Sequence, residues 1–149
     1  MSSLMERIES DLKTAMKSRD QETLSTLRLL KSDIQYEMTK SGAKELADAD
    51  VESVIKKAVK KRQESIVDLD KAGRTDESEL EKRAIEKLKS YLPEELSEEA
   101  IAAEIDAVIA ANPEEKNFGK LMGQVMGRLK GKNADGALVR SLLQNKIGN

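Results

Sequence analysis

Apolar residues recur at intervals of three and four along nearly the whole chain, the period of a helix that buries one face. Ser3 followed by Glu6 reads as a capping box, and Leu4, Ile8, Leu12, Ala15 and Met16 form the stripe of a first helix running to about Ser18. Asp20 stands where a cap is needed, ahead of Leu24, Leu27, Leu30, Ile34 and Met38, so a second, longer helix ends at Gly42. After the loop SGAKELAD, Val51, Val54, Ile55, Ala58, Val59, Ile66 and Leu69 trace a third helix that stops at Gly73. A fourth opens at Thr75 and carries Leu80, Ala84, Ile85, Leu88 and Tyr91. Pro93 closes it, because the residue before a proline disfavours the helical region.

The segment LPEELS changes the character of the chain. Ser97 with Glu98 and Glu99 is a strong helix start, and Ile101, Ile105, Val108 and Ile109 follow as a buried stripe that ends at Asn112-Pro113. A sixth helix spans about Phe118 to Lys130. The loop GKNADG intervenes, and Asp135 can cap a seventh helix carrying Leu138, Val139, Leu142 and Leu143. The pattern predicts an all-α fold: an N-terminal helical domain of about four helices over residues 1–92, and a compact three-helix domain over residues 93–149.

Composition agrees and removes chemistry. Aromatics are 2% and charged residues 36%, which suits amphipathic helices with solvated faces rather than sheets. No apolar run approaches a membrane span, and the N-terminus lacks the basic-then-apolar order of a secretory signal, so cytoplasm is the expected compartment. There is no cysteine and no histidine, which excludes thiolate metal sites, cysteine nucleophiles, imidazole bases and imidazole-zinc sites together. GKNADG lacks the spacing of a phosphate-binding loop. No catalytic residue, metal site or cofactor is expected.

The net charge of −2 hides an asymmetry. Residues 1–92 hold 19 basic and 19 acidic side chains, residues 93–117 one against eight, and residues 118–149 six against one. The last two helices are thus a basic block (Lys120, Arg128, Lys130, Lys132, Arg140, Lys146). Either the block faces a polyanion, or the acidic fifth helix neutralises it within the bundle. A second basic run, KKAVKKRQ, places Lys56, Lys57, Lys60, Lys61 and Arg62 on the third helix. It reads as a solvated face, or alternatively as an auxiliary phosphate-contacting ridge.

Within the basic block, GKLMGQVMGRLKG puts glycine at every fourth position: Gly119, Gly123, Gly127 and Gly131. At roughly 100° per residue the row centres opposite Phe118, Leu121, Met122, Val125 and Leu129. The outer side would also carry Lys120, Gln124 and Lys130, with Arg128 at its margin. An interior glycine costs roughly 0.5–1 kcal/mol relative to alanine, so a bare backbone face among cations points to close approach of a phosphate-sugar backbone.

The run GKLMGQVMGRLKGKNADGALV, with YLPEELSEEAI and KKRQESIVDLDKAGR upstream, resembles the YqeY-like family. That family is similar to the C-terminal region of GatB, the B subunit of the tRNA-dependent Asp/Glu amidotransferase. The resemblance implies an N-terminal helical domain and a three-helix tail of the kind that contacts the outer corner of tRNA and holds no catalytic residue. The loop here is one residue longer than the family's KG-x-ADG. The motif positions Gly119, Lys120, Gly123, Gly131, Lys132, Asp135 and Gly136 carry over as a contact surface, and Gly127, Arg128, Lys130 and Arg140 complete the candidate nucleic-acid-binding set. Asp135 has a second reading as a helix cap.

Three functions follow. The first is a non-catalytic module binding tRNA or another structured RNA by shape, since Tyr36, Tyr91 and Phe118 give no base-stacking platform. The second is an accessory, protein-docking subunit in tRNA-dependent amidation. The third, implied only at family level, is carbon-nitrogen ligation with glutamine as amido donor. Neither a membrane nor DNA is expected as a partner.

Overall fold

The computed structural model describes residues 3–148, and among them the regular elements are all helices. These are α1 (Leu4–Ser18), α2 (Gln21–Ser41), α3 (Asp48–Lys71), α4 (Thr75–Lys89), α5 (Glu98–Ala111), α6 (Phe118–Arg128) and α7 (Gly136–Ile147). None is long and apolar enough to cross a membrane. The chain divides into two compact units, Met1–Leu92 and Pro93–Asn149.

In the first unit the start of α1 is satisfied twice over. Glu6 N–H donates to Ser3 Oγ at 3.2 Å and Ser3 N–H to Glu6 Oε2 at 3.4 Å, completing the capping box. Leu4 N–H, another amide with no partner inside the helix, donates to Asp48 Oδ1 at 3.0 Å, which ties the beginnings of α1 and α3 together. Asp20 caps α2 by accepting from Thr23 N–H at 3.2 Å. The core gathers Ile8, Leu27, Leu30, Ile34, Val51, Ile55 and Leu88. Tyr91, just past α4, closes it with a buried ring under the Arg7 guanidinium, 5.4 Å from the ring centroid, and a hydroxyl that donates to Asp11.

The helical period assigns two residues to the core that the fold leaves outside. Met16 is 54% exposed and Leu80 44% exposed, although both fit an apolar stripe. On α4, which packs against both α2 and α3, an inward position is held by the small Ser78, fully buried. Arg62 departs in the opposite sense, leaving the solvated ridge. It is half-buried, with Nη1 3.1 and 3.3 Å from the two carboxylate oxygens of Glu81 on α4.

In the second unit α5, α6 and α7 pack around Ile101, Ile105, Leu121, Val125, Val139 and Leu143. Ser97 and Asn117 cap α5 and α6, accepting from Ala100 N–H at 3.1 Å and Lys120 N–H at 3.0 Å. Helix α6 ends at Arg128, two residues earlier than the pattern suggests. Gly131 takes a left-handed conformation, φ +82°, and Lys132 N–H turns back to the Leu129 carbonyl at 2.9 Å. The fourth glycine of the row therefore lies in a turn, and Lys130 with it. The longer loop is fastened by Asn133: its carbonyl accepts from Leu96 N–H at 2.7 Å, and its side-chain amide donates to the Pro93 carbonyl at 2.7 Å.

Candidate nucleic-acid interface

Leu121 and Val125 fix the inward face of α6, so 3.6-residue geometry sends Gly119, Gly123 and Gly127 outward, and all three are exposed. A methyl placed on Gly123 or Gly127 would meet no heavy atom within 4 Å. On Gly119 it would meet Asn117 Oδ1 at 3.2 Å, the cap oxygen of the same helix. The described fold thus needs no glycine at 123 or 127, yet Gly123 weakens the helix by about 0.8–1 kcal/mol relative to alanine, and Gly127, next to the helix end, by less. Lys120, with a side chain 70% exposed, stands on this outer face.

Much of the basic block is answered from within the unit. Glu104 on α5 accepts from Arg128 Nε at 2.7 Å and lies 3.6 Å from Lys132 Nζ. The hydrogen bond from Arg128, with the charges of Arg128 and Lys132, holds the Glu104 carboxyl below the usual carboxylate range. Lys146 pairs with Asp106 at 2.9 Å, and Lys120 approaches Glu115 at 3.9 Å. Arg140 stacks its guanidinium 5.8 Å from the Phe118 ring centroid. Among the described residues, Lys130 and Arg140 have no carboxylate within 4.0 Å, and the Lys120 contact is at the limit. Internal neutralisation of the basic block is therefore incomplete. Seven basic residues against nine acidic ones leave this unit slightly acidic, so any attraction of a polyanion is local to one face.

The structure brings Gly119, Lys120, Gly123 and Gly127 together on one helix face. Lys130, Gly131 and Lys132 form the turn that follows. Asp135 accepts from Ala137 N–H at 3.0 Å as the cap of α7, whose first residue is Gly136. Arg128 swings to the α5 flank, and so does Gln124, whose amide exchanges hydrogen bonds with Asn112 at 2.7 and 3.4 Å. Glu104 was not visible as a partner of the basic residues, since the period placed it only on the acidic helix. The role of Asn133 was not visible either, since the sequence showed only a loop one residue longer than the family pattern.

The sequence profile described as Yqey-like protein matches residues 5–147. An uncharacterized protein of Schizosaccharomyces pombe is 40% identical over 90 residues, covering 60% of this chain and 72% of its own. A Pyrenophora tritici-repentis protein named "Altered inheritance of mitochondria protein 41, mitochondrial" is 28% identical over 148 residues, covering 97% of this chain and 81% of its own. With the profile running through all seven helices, the chain belongs to the YqeY-like family.

Proposed function

We propose that the C-terminal unit binds structured RNA, tRNA first among candidates, without catalysing a reaction on it. The supporting observation is the outer face of α6, where Gly123 and Gly127 weaken the helix and relieve no contact among the described residues. A bare backbone lets a phosphate-sugar strand approach more closely than any side chain would allow, and Lys120, with Lys130 in the turn that follows, supplies the charge for it. The turn at Gly131–Lys132 and the start of α7 at Asp135-Gly136 extend the face. Arg128 and Lys132 join only by leaving Glu104. The similarity to the amidotransferase tail is part of this reading.

We place this activity in the cytoplasm. Fractionation of a tagged chain tests that against mitochondria, which the name of the Pyrenophora relative raises. The binding test is a tRNA titration at two salt concentrations. Lys120→Ala and Lys130→Ala should each weaken binding and reduce the salt slope by about one phosphate contact. An unmodified chain that binds no tRNA at low salt refutes the proposal.

A further inference from the structure

The N-terminal unit has an open groove between α2 and α3, closed at one end by Glu81 and Leu88 of α4, where Glu81 is already paired with Arg62; the RNA reading does not use it. Two adjoining cavities of about 220 and 180 Å³ share Asp33, Ala58 and Lys61. Leu29 lines the first and Tyr36 the second, and they are 53% and 67% exposed. Both stand on α2 seven residues apart, one helical face, and neither is used by the core below. An exposed tyrosine and leucine on one ridge beside a cavity are a surface waiting to be covered.

The charges along the groove select the occupant. Its α2 wall carries the acids Asp33 and Glu37, and its α3 wall carries the bases Lys57 and Lys61. Asp33 and Lys61 line both cavities, whereas Glu37 and Lys57 line only the second, so the four fall in two successive acid-base pairs along the groove. Among the described residues none of these four has an ion-pair partner within 4.0 Å. Two acids and two bases give a polyanion no net attraction, so this surface is not a continuation of an RNA face.

A second copy placed over the groove by a twofold axis parallel to it has its walls exchanged. Asp33 of each copy then stands over Lys61 of the other and Glu37 over Lys57, while the exposed Leu29 and Tyr36 are covered by the opposite copy. A twofold axis running across the groove from wall to wall would set acid on acid and base on base. We propose that this groove is the self-association surface of the chain, with α2 and α3 of two copies packed by the parallel twofold axis. The interface is isologous: one patch, complementary to itself because its two sides differ in sign.

Light scattering on the full chain across a roughly hundredfold concentration range tests this. The expected species is twice the 16.5 kDa chain mass. Asp33→Lys and Lys61→Glu should each weaken the dimer at least tenfold, roughly the lower range of what an apposed like-charge pair does. Circular dichroism should show both variants fully helical, because both positions are solvent-accessible. Mixed in equal amounts, the two variants should dimerise again. The lysine introduced by Asp33→Lys in one copy then faces the glutamate introduced by Lys61→Glu in the other, while the unaltered Lys61 of the first meets the unaltered Asp33 of the second. A parent chain that stays monomeric at every concentration overturns the proposal. So does a dimer indifferent to both reversals, or a mixture no tighter than its components. Capture of a different protein by a monomeric chain through this groove also overturns it.

Discussion

Alanine at Gly123 separates the demands of the fold from those of the proposed ligand. The substitution adds one methyl to an exposed position where nothing lies within 4 Å, so the added carbon meets no strain. The whole helix-propensity difference, about 0.8–1 kcal/mol, should then appear as added stability. For a unit of this size that corresponds to a rise of about 4–8 °C in melting temperature. Gly127→Ala, one residue from the end of α6, should shift the melt in the same direction by less. Gly119→Ala is the internal contrast: its methyl sits 3.2 Å from the Asn117 oxygen that caps the helix, so part of the gain goes into displacing the cap. The assay is a thermal melt followed by circular dichroism, paired with tRNA titrations of the same samples. If the α6 face meets RNA, Gly123→Ala melts higher and binds more weakly. A lower melting temperature refutes the exposed geometry of that face. A higher melting temperature with unchanged tRNA affinity leaves the geometry standing and refutes its use as an RNA contact.

Ser78 Oγ is buried without a hydrogen-bond partner, so Ser78→Ala should stabilise the N-terminal unit by about 1 kcal/mol, visible in urea denaturation, whereas loss of stability would reveal a hidden partner. Burial, with the hydrogen bond to Asp11, raises the Tyr91 hydroxyl above its ordinary 10.0. In the unfolded chain the hydroxyl therefore loses its proton first, so stability should be complete below about pH 10 and fall as the pH rises beyond it. Tyr91→Phe should flatten that decline, and an unchanged alkaline profile would contradict the assignment. Glu104→Gln should release Arg128 and Lys132 and so tighten tRNA binding with a steeper salt slope, while unchanged binding would confine both cations to a structural role. Because the Glu104 carboxyl is lowered, its contribution to stability is present above its unfolded value and lost as the pH falls through the folded one, a loss the glutamine variant should lack.

What the sequence determined is local. Helix starts at Ser3, Asp20, Ser97 and Asp135 are legible because a short polar side chain before an apolar period satisfies nearby amides, whatever else surrounds it. The outward direction of Gly119, Gly123 and Gly127 is legible because Leu121 and Val125 fix the helix phase. The end of α6 was not, since a glycine at the helical interval and a glycine in a turn have the same letter, and only the turn from Lys132 back to Leu129 separates them. Tertiary contact also decided which fitting apolar residues are covered. Ser78 lies inside and Leu80 outside, a choice that the helical period alone does not make. It decided the pairing of charges too: Arg62 with Glu81, and Arg128 and the turn residue Lys132 with Glu104, are meetings between segments separated in sequence, which composition can count but cannot place. The facing walls of the α2–α3 groove belong with them. Asp33 and Lys61 are ordinary charged residues in the chain, and only folding sets them on opposite sides of one cavity.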